Sequence, residues 1–355
     1  MATEVGARLS ELLALAEVDP AMRAAAVEEL DRKTKPRGSL GRIEGLAAQV
    51  AAIRGSVSPE PMQSAIVVAA GDHGVATEGV SAYPQEVTGQ MVANFASGGA
   101  AICVLARAVG AELVVVDAGV VTPVEHPAVR SVRIGPGTAN ASTGPAMTRE
   151  QAVASILAGA SLASELADRG VTAIALGEMG IGNTTSAAAV ACALLDRIPG
   201  ELCGPGTGLA PAGVARKAAV VAAMLERNAP DPADPVAVLA AVGGFEIGVL
   251  TGVALQAAAA RCVVVLDGFI TGAAALVALR LAPALEGYLV ASHRSAEPGH
   301  RVVLDALGLE PLLELDMRLG EGSGAALALP LVSAARDILV EMATFSGAGV
   351  TDTGR

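Results

Sequence analysis

The segment that decides the fold class reads Thr172-Ala-Ile-Ala-Leu-Gly-Glu-Met-Gly-Ile-Gly-Asn-Thr-Thr-Ser186. It opens with a short apolar run and continues through a glycine turn into an alanine-rich stretch of helical spacing. A continuous apolar run without alternation is typical of a strand buried on both faces, as in a parallel sheet covered by helices. The segment therefore predicts a strand, a tight turn and a helix.

The same pattern recurs along the chain. Similar short apolar runs, separated by long helical patterns, lie at residues 65–70, 113–116, 131–134, 262–266 and 288–291. This alternation predicts the α/β fold class, with a parallel sheet flanked by helices. Residues 3 to about 55 and 324–344 show helical spacing only. We therefore expect a small helical domain built from both chain ends, residues 1–60 with 322–355, beside a large α/β catalytic domain of residues 61–321.

Composition excludes several classes of protein. The 355 residues are 52% hydrophobic but only 2% aromatic, so the core must be built from Ala, Val and Leu. A membrane span needs about 18 apolar residues in a row, and the best windows are interrupted by Glu246, Asp267 and Arg280. The formal net charge of -12 argues against binding nucleic acid. Close packing of small side chains favours large subunit contacts, and we expect a homodimer.

The cysteines and the amino terminus indicate a cytoplasmic protein. Cys103, Cys192, Cys203 and Cys262 are far apart and show no metal-ligand spacing. They are interpreted as small core residues in a reducing compartment. The first residues lack the basic and apolar regions of a signal peptide. Neither a metal nor a cofactor is expected.

The glycine turn at residues 177–185 is the first candidate site. Its amides and hydroxyls could hold a phosphate at the helix N-terminus. It is not a phosphate-binding loop of the Walker type, because no lysine follows the glycines, and a tight turn that simply needs glycine is the alternative. Glycine turns at residues 135–140 and 204–209 could add amides to the same anion. Lys217, one of three lysines, could bind that anion or lie on a solvated face.

The second candidate site is Leu315-Asp-Met-Arg-Leu-Gly-Glu-Gly-Ser-Gly-Ala-Ala326. Glycines on both sides of Glu321 allow positive φ and close approach of a ligand, and Ser323 is a candidate cap for the helix that follows. The alternative is an acid that stabilises a helix N-terminus. Arg318 could bind a carboxylate or screen neighbouring acids.

Polar groups beside glycine also end other apolar runs. They occur in the segments at residues 70–74, 242–246, 266–269 and 292–297, a pattern typical of an active site at strand ends. Tyr83 lies on a Pro-containing loop and is a candidate to flank a planar ring. A serine hydrolase is disfavoured because no Gly-x-Ser-x-Gly elbow follows a strand.

Taken together, the chain resembles the nicotinate-nucleotide:dimethylbenzimidazole phosphoribosyltransferase family. The segments that carry the resemblance lie in the same order along nearly the whole chain: residues 35–42, 72–74, 84–88, 177–185, 242–245, 266–269, 292–297 and 317–326. The resemblance implies a homodimer with a Rossmann-like parallel sheet and a small helical domain. It also implies transfer of the 5-phosphoribosyl group of nicotinate mononucleotide to 5,6-dimethylbenzimidazole, giving α-ribazole 5'-phosphate and nicotinate in cobamide (vitamin B12) lower-ligand assembly.

The resemblance places Glu321 on the family's catalytic base. The residues expected at the nucleotide and its phosphate are Glu178, Gly180, Ile181, Gly182, Asn183, Thr184, Gly206, Lys217, Arg318 and Gly320. Those expected at the base are Ser81, Tyr83, Gln85, Gln90, Met91 and Leu319. Familiar members have a serine and a glutamine where this chain has Tyr83 and Met91, which predicts a more apolar pocket.

Two alternatives stay open. The same reaction could use another lower-ligand base, such as a less substituted benzimidazole or adenine, or the chain could bind a nucleotide without catalysis. A nucleotide-dependent oxidoreductase is disfavoured, because it would need GxGxxG with an acid about 20 residues further on, and the chain has none.

Overall fold

The computed structural model describes residues 2–352 and contains one parallel sheet. The strands are Ser64–Gly71 (β1), Glu112–Gly119 (β2), Val129–Ser131 (β3), Ala173–Met179 (β4), Val263–Leu266 (β5) and Leu289–Ala291 (β6). Their order is β3-β2-β1-β4-β5-β6, and every neighbouring pair is parallel. This is a Rossmann-like order, so the predicted α/β class is confirmed.

Helices connect the strands and cover both faces of the sheet. In the described range they are Ala2–Leu13 (α1), Pro20–Asp31 (α2), Arg42–Arg54 (α3), Val87–Ala96 (α4), Ala101–Val109 (α5), Arg149–Asp168 (α6), Asn183–Leu195 (α7), Pro199–Leu202 (α8), Pro211–Asn228 (α9), Pro235–Val242 (α10), Phe245–Ala259 (α11), Phe269–Leu281 (α12), Pro298–Ala306 (α13), Ser323–Glu341 (α14) and Phe345–Ala348 (α15). Short 3-10 turns span Gly74–Glu78 and Pro283–Tyr288.

The predicted strand at residues 131–134 is wrong in its position. The observed strand β3 is Val129–Ser131, an edge strand that is only partly buried. Beyond it, the amides of Val132 and Ile134 still donate to the carbonyls of Asp117 and Ala118, both at 2.9 Å. Regular strand pairing nevertheless ends at Ser131, and the glycine turn follows at Gly135.

Small side chains allow the helices on the sheet to approach closely. Helices α6 and α11 cross so tightly that a Cβ on Gly159 would meet the carbonyl of Val249, and one on Gly252 would meet the carbonyl of Ile156. The alanine and glycine content of the chain therefore serves backbone-to-backbone packing. The four cysteines are free and buried, as predicted.

The two chain ends contact one another. Lys33 and Thr344 form an antiparallel bridge, and the amide of Phe345 donates to the carbonyl of Arg32 at 3.0 Å. Helix α14 packs against α2 and α3, but also against α5, β4 and β5. The division into two domains stays a prediction, and its outermost residues, 1 and 353–355, lie outside the described range.

Two helical stretches in the described range, Val87–Val109 and Ser323–Glu341, are long and apolar enough to cross a membrane. The first is interrupted by the turn between α4 and α5. The second is α14, which is packed against the sheet. Buried core helices have the same composition, so these stretches are weak grounds for a membrane protein.

Candidate active site

The strand order reverses between β1 and β4, which is where open α/β sheets bind their ligands. A cavity of about 470 Å³ opens beyond the carboxyl ends of β4, β5 and β6. Larger surface clefts of about 680 and 720 Å³ lie elsewhere, but they do not contain the converging polar groups of the strand ends. The predicted site residues that line the strand-end cavity are Tyr83, Met91, Glu178, Gly180, Ile181, Asn183, Thr184, Gly206, Arg318, Leu319, Gly320 and Glu321.

Glu321 lies in an unusual backbone conformation at the cavity wall. Gly320, Glu321 and Gly322 all have positive φ, at 83°, 61° and 82°. A residue with a Cβ rarely adopts this conformation, and such outliers are concentrated at functional sites. Gly177 makes room for the turn, since a Cβ there would lie 2.6 Å from the amide nitrogen of Gly322.

The carboxyl group of Glu321 is buried, and one of its oxygens has no partner in the described part of the chain. Glu321 is only 6% exposed, and burial raises its pKa, opposed by the backbone amide of Ile102. Its Oε2 has no hydrogen-bond partner among the described residues. A raised pKa makes this carboxylate a stronger base than an ordinary glutamate.

Asp267, directly after β5, caps helix α14. Its Oδ1 accepts from the amides of Gly324 at 2.7 Å and Ala325 at 3.1 Å, and its Oδ2 accepts from the amide of Gly322 at 3.1 Å. Burial raises the pKa of Asp267 to about 7, although these amides oppose the shift. The predicted cap Ser323 is wrong: Ser323 is already the first helical residue, and its Oγ has no partner among the described residues.

Glu178 is the penultimate residue of β4 and lines the same cavity. It is buried, and the side-chain amide of Asn183 donates to its Oε2. Burial, followed by the charges of Asp267, Glu246 and Glu321, raises the pKa of Glu178 to about 8. Glu178 is therefore largely protonated near neutral pH and can itself donate a hydrogen bond.

Lys217 lies beneath the cavity rather than in its wall. It is 1% exposed, and its ammonium donates to Thr184 Oγ1 at 3.1 Å and to the carbonyl of Gly204 at 3.0 Å. Burial lowers its pKa, and the charge of Glu297 opposes that shift. The solvated-face alternative is thus wrong, and Lys217 joins the turn at residues 204–208 to the start of α7.

The turn at residues 204–208 is also tied to other groups. The amide of Gly206 donates to Glu297 Oε1 at 2.7 Å, so in this structure that donor is bound to a carboxylate that also lines the cavity. Arg318 donates to the carbonyl of Gly206 at 3.4 Å. Gly182, with a φ of 95°, is the N-cap of α7 and shapes the turn without lining the cavity.

Three polar residues that were predicted to bind the base, Ser81, Gln85 and Gln90, do not line the cavity. Val87 and Met91, one helical turn apart on α4, both line the cavity, whereas Gln90 is exposed on another face of that helix. Ser81 is 3.2 Å from the hydroxyl of Thr207, and Gln85 donates to the carbonyl of His73 at 3.5 Å. Neither side chain lines the cavity, although Thr207, the partner of Ser81, does.

Several cavity residues had no predicted role. They are Val87, Met179, Thr207, Gly268, Phe269, Ile270, His293, Ser295 and Glu297. Most lie at or just after strand ends that the polar-and-glycine pattern had marked, but that pattern does not say which side chain enters the cavity.

Behind the wall, His73 Nε2 lies 2.6 Å from Glu246 Oε1 in a fully buried pair that joins the segment after β1 to α11. No group of three or more potential metal ligands occurs among the described residues.

Comparison with known proteins identifies the family. A family model described as a phosphoribosyltransferase matches residues 15–350. The chain belongs to this phosphoribosyltransferase family. A relative from Roseiflexus sp. (strain RS-1), named nicotinate-nucleotide–dimethylbenzimidazole phosphoribosyltransferase, is 52% identical over 345 residues, covering 97% of this chain and 98% of the relative. A relative of the same name from Azotobacter vinelandii is 51% identical, with coverage of 97% and 98%.

A solved structure is also similar to this phosphoribosyltransferase. The crystal structure of CobT from Thermus thermophilus has a TM-score of 0.90 and 49% identity, covering 94% of this chain and 99% of that chain. The predicted family resemblance is confirmed.

Proposed function

We propose that this phosphoribosyltransferase moves the 5-phosphoribosyl group of nicotinate mononucleotide to 5,6-dimethylbenzimidazole. The products are α-ribazole 5'-phosphate and nicotinate, and the step belongs to assembly of the cobamide lower ligand. The observation that carries the proposal is Glu321, a buried carboxylate at the cavity wall. It is the middle one of three successive residues with positive φ. The relatives that share the sequence over nearly its whole length bear the name of this reaction.

The chemistry requires a base but little other assistance. In nicotinate mononucleotide the leaving group is a pyridinium, so cleavage of its bond to C1′ returns the electron pair to the ring nitrogen and releases a neutral ring. This leaving group needs neither a general acid nor a Lewis acid. One benzimidazole nitrogen attacks C1′, and Glu321 accepts the proton from the other nitrogen. Inversion at C1′ follows if the two rings lie on opposite faces of the sugar.

The two sides of the cavity suit the two substrates. On the polar side, Asn183, Thr184 and Arg318 line the wall at the start of α7, where a helix N-terminus favours a phosphate. Lys217 adds positive charge from below. On the apolar side, Tyr83 and Met91 offer an aromatic face and a pliable thioether to a flat base.

The shape and polarity of the apolar side of the cavity determine which base is accepted. Because Ser81, Gln85 and Gln90 lie off the wall, stacking and dispersion should dominate over any particular hydrogen bond. We therefore expect 5,6-dimethylbenzimidazole and less substituted benzimidazoles both to react, with each fully buried methyl group worth about 0.8 kcal/mol.

A competition assay tests the proposal. Purified enzyme is mixed with nicotinate mononucleotide and equal amounts of 5,6-dimethylbenzimidazole, benzimidazole, adenine and a phenol, and the ribotides are identified by mass. Benzimidazole ribotides should dominate. Exclusive use of adenine or phenol would overturn the base assignment. Nucleotide binding without any ribotide would favour the non-catalytic alternative.

We also propose that the enzyme is a cytoplasmic homodimer, that each subunit has the two domains described above, and that it binds neither membranes nor nucleic acid. Tyr83 and Leu319, both 55% exposed at the cavity mouth, support a second subunit covering this region. Light scattering after gel filtration should give twice the 35.1 kDa chain mass. A monomer mass across the working concentration range would rule out the dimer.

A further inference from the structure

We propose that Asp267 is a positioning residue for the transfer reaction: from the end of β5 it caps helix α14 and so holds Glu321 in its left-handed conformation at the cavity wall. The inference rests on the proposed function, in which Glu321 accepts the proton of the attacking base.

The cap comes from a distant part of the chain. Asp267 is 1% exposed and accepts amide hydrogens from Gly322, Gly324 and Ala325, at distances of 2.7 to 3.1 Å. These amides belong to the first turn of α14, whose leading N–H groups have no partner within the helix. The carboxylate therefore does for α14 what a side chain at its own N-cap would normally do.

Within the described range, no side chain at the start of α14 caps the helix, so the capping hydrogen bonds come from Asp267. The N-cap residue is Gly322, which has no side chain, and Ser323 makes no capping hydrogen bond. The three residues with positive φ that end at Gly322 include Glu321, for which the conformation is unfavourable. A strained conformation persists when its surroundings over-determine it. Asp267 supplies that restraint from β5, which is hydrogen-bonded to strands on both sides.

Charge couples Asp267 to the same glutamate. The charge of Glu321 contributes to raising the pKa of Asp267. Because such coupling is mutual, a charged Asp267 disfavours ionisation of Glu321. The other titratable groups around Asp267 are Glu178, whose pKa the charge of Asp267 raises, and His293, whose Nδ1 lies 3.8 Å from Asp267 Oδ1. Nδ1 of His293 also lies 3.1 Å from Ser292 Oγ, and burial lowers the pKa of this imidazole.

The primary test is Asp267→Asn. The asparagine carbonyl can still accept from Gly324 and Ala325, but the variant loses the charge and presents an N–H₂ group to the amide of Gly322. We expect kcat to fall by on the order of 10–100-fold, since misplacement of a reacting group by about 1 Å can cost about 10²-fold. The KM for nicotinate mononucleotide should stay within about threefold, because a positioning effect on proton transfer leaves uniform nucleotide binding in place.

The pH profile separates positioning from a merely structural effect. Asp267 has a pKa of about 7, so its charge acts on Glu321 only above that pH, and the change in kcat/KM that the parent shows as Asp267 ionises near pH 7 should be absent from Asp267→Asn. The matched control is Asp117→Asn. Asp117 is also buried near a strand end, but it accepts from Val120 and Arg133 and not from the turn that contains Glu321. This control should lose thermal stability while keeping kcat and the change in kcat/KM near pH 7.

Double substitution distinguishes failure of the inference from failure of the proposed function. If Asp267 acts through Glu321, the Asp267→Asn/Glu321→Gln variant should be no slower than Glu321→Gln alone. Independent, multiplied losses would overturn the inference, as would an Asp267→Asn variant with parental kcat and a parental pH profile. Parental turnover in Glu321→Gln would instead overturn the proposed function. Asp267→Ser, which avoids the N–H₂ group near Gly322, gives the same two readouts if the asparagine variant does not fold.

Discussion

At the scale of single residues, the cavity has a buried lysine, Lys217, beneath it and carboxyl groups whose pKa values are raised by burial. Lys217 could be recognised from the sequence as a rare lysine near a glycine turn, but its position beneath the turn could not. That position depends on Thr184 and Gly204, which reach Lys217 only after α7 and α9 have packed together. Glu321 was predicted more fully, because its flanking glycines are local and the left-handed turn follows from them.

Lys217→Met tests the phosphate side at this scale. The variant keeps the apolar stem and removes the charge, so we expect binding of nicotinate mononucleotide to weaken by about 1.5–3 kcal/mol, the range for a hydrogen bond to a charged group. Isothermal titration calorimetry measures the change. Arg301→Met, a substitution on an exposed arginine of α13, is the control and should bind as the parent does. An unchanged dissociation constant in Lys217→Met would remove Lys217 from the nucleotide site.

At the scale of elements, the strand-turn-helix unit at residues 172–186 follows from sequence alone. Its buried strand requires an apolar run, and the turn requires glycine. Edge strand β3 was misplaced because it is partly exposed and has no such continuous run. The cap of α14 could not be predicted, since Asp267 lies 55 to 58 residues along the chain from the amides that donate hydrogen bonds to it.

Gly177→Ala tests how closely β4 and the Glu321 turn fit together. A Cβ at this position would lie 2.6 Å from the amide nitrogen of Gly322 and 2.7 Å from the carbonyl carbon of Glu321, and backbone cannot yield as a side chain can. We expect a loss of about 1–3 kcal/mol in the free energy of unfolding, together with reduced kcat. Gly45→Ala is the matched control. Gly45 lies in α3 with no neighbour within 4 Å of an added Cβ, so the variant should gain about 0.5–1 kcal/mol. Equal stabilities in urea titrations would contradict the close approach.

At the scale of the whole molecule, the buried carboxyl groups at the cavity contribute to the pH dependence of stability. Glu178 has a pKa of about 8 in the folded protein against 4.5 as its ordinary value. The folded state therefore binds more protons than the unfolded state between these values, and stability falls as the pH rises through that window. The contribution of Glu178 is fully present below about pH 4.5 and lost above about pH 8.

Glu178→Gln should remove this contribution to the pH dependence. The variant mimics the protonated acid, so its melting temperature should exceed that of the parent by more at pH 8 than at pH 5. Scanning calorimetry without ligand measures the difference. Glu314→Gln, at a side chain that is 67% exposed, is the control and should follow the parent at both pH values. A constant difference between Glu178→Gln and the parent across this range would contradict a protonated Glu178.

The central claim is that the strand-end cavity transfers a phosphoribosyl group with Glu321 as the base. The most direct measurement compares the parent and Glu321→Gln in a reaction of nicotinate mononucleotide with 5,6-dimethylbenzimidazole, with nicotinate and ribotide both quantified by mass spectrometry. The parent should release the two products in equal amounts. Glu321→Gln should bind the nucleotide with parental affinity and react about 10²–10⁴-fold more slowly. Turnover of Glu321→Gln within about threefold of the parent, far less than loss of a general base causes, would contradict the account.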